Sequence, residues 1–159
     1  MEIQIPIMQD VKLQGLRTMI RLDLNVPIEN GVITSEARIH AALPTIETAL
    51  SKAAQVILLS HLGRPNPEAL DGSFSLEPVA RKLEELIGKP VCFLTDWIGG
   101  IPNITHELIV CENTRYLKGE KTNDESLSKQ IANLCDVYVM DAFGASHRQH
   151  ASTCGAVQY

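Results

Sequence analysis

Cationic and polar side chains follow four apolar runs of this chain, at the points where the runs end. The runs comprise residues 19–22, 56–59, 108–111 and 137–140. The loops after them carry, in chain order, Asp23 and Asn25, His61 and Arg64, Arg115, and Arg148. Arginine offers a planar fork of donors that matches phosphate or carboxylate, and it stays charged at any relevant pH. Side chains of these types are suited to binding an anion.

These side chains come together only if the four runs lie side by side in the fold. If the runs are neighbouring parallel strands, their carboxyl ends meet at one edge of the sheet, where open α/β folds bind ligands. Three arginines and a histidine gathered there would repel one another unless a multiply charged anion bound between them. The pattern therefore predicts a small phosphorylated acid as the ligand.

Length and composition fit one globular domain. The chain has 159 residues, of which 45% are hydrophobic and 21% are charged, and a chain of this length buries roughly 70% of its unfolded surface. Its net charge of −5 disfavours a general nucleic-acid binder, which is usually basic. A local anion site remains compatible with that charge, because a bound ion interacts mainly with charges within about 8 Å.

The sequence predicts neither a membrane span nor an export signal. No apolar run approaches the ~18 residues of a transmembrane helix. Residues 1–10 contain Glu2 and Pro6 and lack a basic leading segment, unlike a signal peptide. We therefore expect a cytoplasmic protein with no membrane partner and no nucleic-acid partner.

The four cysteines are expected to be free. They are Cys92, Cys111, Cys135 and Cys154. None forms a CxxC pair, so disulfides and structural zinc are disfavoured. Two of them end or adjoin apolar runs, where cysteine usually serves as a small buried hydrophobe.

Apolar periodicity predicts that strands alternate with helices. Short apolar runs bounded by turn residues indicate strands buried on both faces, and residues 91–94 add a fifth run of this kind. Apolar residues at helical spacing follow the runs 19–22, 56–59 and 108–111. Such alternation builds βαβ units. The predicted fold is α/β, a Rossmann-like three-layer α/β/α domain with a mainly parallel sheet.

Turn and capping residues predict where these elements begin and end. Asn30-Gly31 predicts a β-hairpin within residues 26–33. Thr34 or Ser35 is expected to cap the first helix, and Pro44 predicts a kink or a helix that begins near Leu43. Further expectations are a cap at Ser75, a helix end at Gly88, a first turn holding Asp124 and Glu125, and a loop-like stretch after the last strand.

Five short segments together resemble a known family. In chain order they are IRLDLNVP (20–27), SHLGRP (60–65), ENTRY (112–116), GE (119–120) and DAFGASHR (141–148). Each segment alone is a weak signal, but five in register are highly specific. The chain closely resembles the N-terminal domain of phosphoglycerate kinase from about Val11 to its end.

The resemblance implies an activity for the complete enzyme. In that family the N-terminal domain binds 3-phosphoglycerate and a second domain binds MgATP or MgADP. Closure of the two domains transfers a phosphoryl group between 1,3-bisphosphoglycerate and ADP in glycolysis. Residues 1–159 would then be a truncated substrate-binding domain of an enzyme expected to be monomeric. No cofactor or metal is expected on this chain itself.

The resemblance also implies roles for individual residues. The substrate-binding positions of the family fall on Asp23, Leu24, Asn25, Arg38, His61, Leu62, Gly63, Arg64, Arg115 and Arg148. Asp23 and Asn25 match positions that hold the hydroxyl and carboxylate end of the substrate. Arg38 matches the catalytic arginine that reaches the transferring phosphoryl group. The histidine and the other three arginines match the phosphate-binding positions, and the backbone around Leu24 and Leu62-Gly63 lies against the ligand.

Other interpretations remain open. Taken singly, each of these residues has an ordinary explanation, such as a solvated surface charge for Arg38. A free-standing phospho-acid-binding module without kinase activity is the nearest alternative, and an assembly or RNA-interaction domain is a third. His147 and His150 lack the i, i+4 helical spacing typical of a zinc site.

The sequence predicts that this chain is part of a longer protein and is inactive alone. Residues 155–159 form an apolar stretch without a helix stop or polar tail. No GxxxxGK[ST] segment or comparable nucleotide-binding loop is present in the sequence. Phosphoryl transfer is therefore expected only when a nucleotide-binding half is joined to this chain.

Overall fold

The computed structural model describes residues 6–159. Its strands are β1 (Arg17–Leu22), β2 (Ile28–Glu29), β3 (Val32–Ile33), β4 (Gln55–Leu59), β5 (Val91–Leu94), β6 (Leu108–Cys111) and β7 (Val137–Asp141). Its α-helices are α1 (Ala37–Leu50), α2 (Glu77–Ile87) and α3 (Glu125–Ala132). Five strands form one parallel sheet in the order β5-β6-β4-β1-β7, and β2 and β3 form an antiparallel hairpin.

Alternate residues of the central strands enter two separate cores, one on each face of the sheet. On one face Ile20 and Leu58 pack with apolar residues of α1 and α2. On the other face Met19 and Ile57 pack with α3 and with the turns of residues 151–158. These strands read as uninterrupted apolar runs because both faces are covered. The predicted three-layer α/β/α fold with a parallel sheet is confirmed.

The hairpin lies where its turn residues predict it. Asn30 and Gly31 join β2 to β3 with φ angles of 52° and 77°. Glycine adopts positive φ without strain, and asparagine tolerates it better than most residues. In the chain, the hairpin connects β1 to α1.

The first helix begins between its two predicted starts. It begins at Ala37 without a side-chain cap, so the predicted cap at Thr34 or Ser35 is wrong. Pro44 lies inside the helix, and the alternative start near Leu43 is wrong as well. Proline removes one backbone donor, but buried apolar residues before and after it pack into the same core. That burial keeps the helix in one piece.

The second helix receives its cap from another part of the chain. The residue before α2 is Leu76, so the predicted cap at Ser75 is displaced by one position. The Leu76 N–H donates to Glu112 Oε1 at 2.9 Å, and Ser75 Oγ donates to Glu112 Oε2 at 2.7 Å. Glu112 follows β6, so local sequence could not show this contact. Gly88 ends the helix as predicted, with a φ of 69°.

The stretch after the last strand is not loop-like as predicted. Residues Ala151–Gly155 form a π-helical turn and Ala156–Gln158 a 3₁₀ turn, both packed in the core that contains α3. The close packing depends on Gly155, because a Cβ there would lie 2.0 Å from Ser128 Oγ and 2.5 Å from Asn123 Oδ1.

All four cysteines are free, and only Cys111 is fully buried. Cys92, Cys135 and Cys154 are half-buried, so the expectation of buried thiols holds for one position. Within residues 6–159, no helix combines the length and the hydropathy that crossing a membrane requires.

Candidate functional site

The carboxyl ends of four neighbouring strands form one edge of the sheet, named here the carboxyl edge. The strands are adjacent in the order β6-β4-β1-β7. Near their ends, Arg21 of β1 lies opposite Leu59 of β4, and Leu22 lies opposite Asp141 of β7. The loops that leave this edge carry the predicted residues. They are Asp23 and Asn25 after β1, His61 and Arg64 after β4, Arg115 after β6, and Arg148 after β7. The strand arrangement on which the predicted anion site depends is therefore present.

The loops after β1 and β4 are joined by hydrogen bonds. The Leu24 N–H donates to Ser60 Oγ at 2.9 Å, and the Gly63 N–H donates to Asn25 Oδ1 at 2.9 Å. Within the first loop, the Asn25 N–H donates to Asp23 Oδ1 at 3.3 Å. These bonds hold the backbone of Leu24 and Gly63 in place beside the polar side chains of the first loop.

Asn113 connects the loop after β6 to the loop after β4. Its Oδ1 accepts from the Leu62 N–H at 3.1 Å and from the Arg115 N–H at 3.0 Å. Its Nδ2 donates to the Leu62 carbonyl at 2.7 Å. The Arg115 guanidinium in turn donates to the Gly63 carbonyl. One buried amide therefore positions both the backbone before Gly63 and the side chain of Arg115.

Arg115 is a buried cation that is not fully satisfied by the protein. The residue is 4% exposed, and its Nε is a buried atom without a hydrogen-bond partner. Burial lowers its pKa, and the positive charges of Arg148, Arg21 and Arg64 lower it further. Since like charges raise one another's energy, an anion bound among these groups would relieve the repulsion. Arg64 itself is exposed.

His61 lies beside the same cations. It is 5% exposed, and its Nδ1 is 3.1 Å from Nη2 of Arg21. Its pKa is lowered to about 3, first by burial and then by the charges of Arg21 and Arg115. The imidazole is therefore neutral at physiological pH, and it can take part in anion binding only as a neutral hydrogen-bond donor.

Arg148 is brought to the carboxyl edge by the turns after β7. A 3₁₀ turn, Phe143–Ala145, follows the strand, and the Arg148 N–H donates to the Ala145 carbonyl at 3.0 Å. Thr153 Oγ1 donates to the Arg148 carbonyl at 2.5 Å. The half-buried Arg148 contributes to lowering the pKa values of His61 and Arg115, so its charge belongs to the same cluster.

Arg38 joins this cluster through a carboxylate. It lies in the first turn of α1 and forms an ion pair with Asp23, their side chains being 51% and 23% exposed. The loop after β7 passes close to the same carboxylate, because a Cβ on Gly144 would lie 2.9 Å from Asp23 Oδ2. Arg38 is thus on the outer side of the carboxyl edge, whereas Arg115 is on its inner side.

Several residues that organise the site were missed in the sequence. They are Arg21, Ser60, Glu112, Asn113, Glu120 and Ser152. A signal for Arg21 was present, since a charged residue inside the apolar run 19–22 must be buried with a partner. For Glu120 and Ser152, which contact each other across 32 positions of the chain, no local pattern exists.

The cations at the carboxyl edge have few acidic partners within the described residues. Among the ion pairs of residues 6–159, none includes Arg64, Arg115 or Arg148. The same part of the chain contains no group of three or more histidine, cysteine or acidic side chains that could hold a metal ion. Cations without carboxylate partners, held by a rigid set of loops, provide donors for phosphate or carboxylate oxygens.

Comparisons with known proteins identify relatives over nearly the whole chain. The family model for phosphoglycerate kinase matches residues 8–159. Phosphoglycerate kinases of Legionella pneumophila (strain Lens) and Francisella philomiragia are 56% and 49% identical to this chain over 152 residues. Those 152 residues are 96% of this chain but 38% and 39% of the two relatives.

Solved structures give the same result. The phosphoglycerate kinase structure from Coxiella burnetii has a TM-score of 0.90 and 46% identity, with 96% of this chain and 39% of that chain covered. The Pyrococcus horikoshii structure has a TM-score of 0.78 and 29% identity, with 91% and 38% covered. The chain spans well under half the length of the relatives it matches. It belongs to the phosphoglycerate kinase family.

Proposed function

We propose that residues 1–159 form the substrate-binding domain of a phosphoglycerate kinase and bind 3-phosphoglycerate at the carboxyl edge. The observation that carries the proposal is the group of cations there, Arg64, Arg115 and Arg148: the charges of the other two lower the pKa of Arg115, and none of the three forms an ion pair within residues 6–159. A carbon chain with a phosphate at one end and a carboxylate at the other supplies negative charge at two separated points. The carboxyl edge likewise has an inner cationic part and an outer part around Asp23.

The proposed roles follow from this division. Arg115, Arg148 and Arg64, with the neutral His61, would donate to the phosphate oxygens. Asp23 and Asn25 would bind the hydroxyl and carboxylate end, and the backbone of Leu24, Leu62 and Gly63 would lie against the carbon chain. A charge-assisted hydrogen bond contributes roughly 1.5–3 kcal/mol. Lost ligand motion offsets much of the sum, so a micromolar dissociation constant is expected.

For the complete protein we propose transfer of a phosphoryl group between 1,3-bisphosphoglycerate and ADP. MgATP or MgADP would bind to the part of the relatives that this chain does not span, so the chain alone would not catalyse transfer. Phosphoryl transfer depends mostly on positioning and charge stabilisation. The exposed Arg38, near the rim, would contact the transferring group once its ion pair with Asp23 opens. A cytoplasmic location, where glycolysis takes place, is part of the same proposal.

Calorimetric titration of this chain with 3-phosphoglycerate tests substrate binding. MgATP and glycerate, which lacks the phosphate, serve as comparison ligands. We expect binding of 3-phosphoglycerate alone, and we expect Arg148→Gln to weaken it at least about tenfold, given the loss of one charge-assisted bond. The matched control is Lys129→Gln, a cation on α3 already paired with Glu125. Equal binding of glycerate, or no effect of Arg148→Gln, would contradict the proposed phosphate site.

The role of Arg38 is tested in the complete protein. Because Arg38 is proposed to contact the transferring group and not the phosphate of the bound substrate, Arg38→Ala should lower kcat far more than it raises KM. Arg81→Ala, on the exposed face of α2, is the control. An unchanged kcat for Arg38→Ala would count decisively against the catalytic role.

A further inference from the structure

Arg21 is a charged residue near the carboxyl end of a buried strand. It is 1% exposed, although it belongs to the central strand β1. Its Nε donates to Ser152 Oγ at 2.9 Å, and its Nη1 donates to the Leu22 carbonyl at 2.5 Å. The third contact joins Nη2 to His61 Nδ1 at 3.1 Å. Each of the three guanidinium nitrogens therefore makes a hydrogen bond inside the protein, which fixes the orientation of the Arg21 side chain.

A buried carboxylate balances the charge of Arg21 without touching it. Ser152 Oγ donates to Glu120 Oε1 at 2.5 Å, and the Ser152 N–H donates to Glu120 Oε2 at 3.0 Å. The serine hydroxyl accepts from Arg21 and donates to Glu120, which determines its orientation. Glu120 is 1% exposed, and its charge acts on Arg21 to favour the protonated guanidinium. Arg21, Ser152 and Glu120 thus form one buried chain of hydrogen bonds that ends at His61.

The contact with Arg21 determines which nitrogen of His61 carries the hydrogen. A guanidinium has donors and no acceptor. His61 Nδ1 must therefore accept, and the hydrogen of the neutral imidazole is on Nε2. In residues 6–159 Nε2 has no protein partner, and it is not among the fully buried unpaired atoms, so it is open to solvent. The donor N–H of His61 is consequently available to a ligand.

The surroundings of His61 oppose its protonation. The charges that act on it come from Arg21 on β1, Arg115 after β6 and Arg148 after β7, and only Asp23 has the opposite sign. Burial lowers the pKa of His61 more than any of these charges. An imidazolium would add one more cation to a group that is already repulsive. A neutral N–H adds a hydrogen bond without adding charge.

We propose that Arg21 is a positioning residue that acts through His61, holding the imidazole as the neutral Nε2–H tautomer so that it donates to an anion at the carboxyl edge. Ser152 and Glu120 hold Arg21 in turn. The identity of the anion rests on the proposed function, whereas the tautomer rests on contacts within this chain. The consequence is that His61 contributes the same donor throughout pH 5.5–8, and the affinity for a phosphate ligand changes only with the second ionisation of the phosphate, near pH 6.

The tautomer is tested by NMR of the ¹⁵N-labelled imidazole nitrogens in the 159-residue chain without ligand. We expect His61 with a protonated Nε2 and an unprotonated Nδ1, and no titration between pH 5.5 and 8. In Arg21→Met we expect His61 to titrate closer to its usual value of about 6.5 and to populate both tautomers. Arg17→Met, the same change at the exposed start of β1, should leave the His61 spectrum unchanged.

A double variant keeps this test decisive if Arg21→Met does not fold. Arg21→Met with Glu120→Gln removes both buried charges together, and it should show the same change at His61. A wild-type His61 with its hydrogen on Nδ1, or one that titrates near 6.5, would overturn the positioning role. So would an unchanged His61 spectrum in both folded variants.

Ligand titration separates this proposal from the proposed function. With 3-phosphoglycerate at pH 8, Arg21→Met should raise the Kd about tenfold, the value of one oriented hydrogen bond to a charged group. At pH 5.5 the increase in Kd caused by Arg21→Met should be smaller, because His61 of the variant can then become an imidazolium. No binding of 3-phosphoglycerate to the wild-type chain would contradict the proposed function. Equal Kd values for wild type and variant, with the tautomer altered, would contradict the positioning role alone.

Discussion

Arginines at the two ends of β1 have opposite surroundings. Arg17, at the start of the strand, forms a bidentate pair with Asp136, with Nη2–Oδ1 at 2.9 Å and Nε–Oδ2 at 3.1 Å. Both side chains are more than a third exposed. Arg21, four residues later, is buried and touches no carboxylate, and the nearby Arg115 and Arg148 form no ion pair in the described residues.

The two arginines illustrate the difference between a cation that a neighbouring side chain neutralises and the cations near a candidate ligand site. At the amino end of the sheet, the cation is neutralised by a neighbour on the adjacent loop, so nothing remains for a ligand to do. At the carboxyl edge, the Arg115 guanidinium is held by the Gly63 carbonyl, which is neutral and leaves the charge of Arg115 without an ion-pair partner in the described residues. Holding like charges together costs folding free energy, which a bound anion offsets.

The largest expected effect is on stability when the buried arginine is removed. Arg21→Met should lower the free energy of unfolding by about 3–5 kcal/mol, because it leaves Glu120 as a buried charge without its counter-charge. Arg17→Met should cost less than about 1 kcal/mol, because its ion pair is exposed. Urea unfolding followed by circular dichroism measures both. Equal losses of unfolding free energy in the two variants would contradict this difference between the two ends of β1.

The pH dependence of stability is the second test. Because the pKa of His61 is about 3 in the folded chain and about 6.5 when unfolded, the unfolded state binds a proton that the folded state excludes. The unfolding free energy should therefore fall as pH drops from 6.5 towards 3, with a contribution of up to about 1.4 kcal/mol per pH unit.

A pair of histidine variants isolates that contribution. His61→Gln should lose this part of the slope, whereas His40→Gln, whose side chain is 54% exposed, should keep it. The raised pKa of Glu120, caused by burial, acts in the opposite direction. The Glu120 contribution is present in wild type and in both histidine variants, so it cancels when their slopes are compared. Identical slopes for His61→Gln and wild type would argue against a buried, neutral imidazole.

Stabilisation by ligand is the third test. At a concentration of one hundred times the Kd, 3-phosphoglycerate should raise the unfolding free energy by about 2.7 kcal/mol. At that same concentration Arg148→Gln should lose about half of this gain if its affinity is about tenfold lower, whereas Arg17→Gln should retain it. Thermal denaturation with and without ligand measures the difference. If Arg17→Gln lost as much as Arg148→Gln, the binding site would not be restricted to the carboxyl edge.

The smallest expected effect is at Arg38, on the outer side of the carboxyl edge. Arg38→Ala should change the unfolding free energy of this chain by less than about 1 kcal/mol, because its pair with Asp23 is partly exposed. Its consequences are expected in turnover by the complete protein. A loss above about 2 kcal/mol would indicate that the ion pair between Arg38 and Asp23 is structural, because exposed pairs contribute less.

Local sequence patterns predicted which helices and strands form, but not where all of them begin. The hairpin at Asn30-Gly31 and the helix end at Gly88 depend on positive φ, which is a property of the residues themselves. The start of α2 depends on Glu112, which arrives from β6, so Ser75 was placed one position away from the cap. Pro44 was expected to interrupt α1, yet burial of the helix face outweighed one missing hydrogen bond.

The candidate site shows the same division. The residues that could bind an anion were identifiable from the sequence, because cations and amides at the ends of apolar runs have few structural reasons to recur. The residues that position them were not, since Asn113 acts on Leu62 through contacts that exist only when two loops are adjacent. Arg21 was overlooked because its run was interpreted as apolar throughout.

By itself the sequence determined the order of strands and helices, the two-sided burial of the sheet and the donors available at its carboxyl edge. These follow from periodicity, turn chemistry and residue type, which are local properties. Only the tertiary structure decided which cations are neutralised and which remain uncompensated, and which nitrogen of His61 carries a hydrogen. Those outcomes depend on charges and hydrogen bonds between segments far apart in the chain, whose distances are set when the sheet assembles.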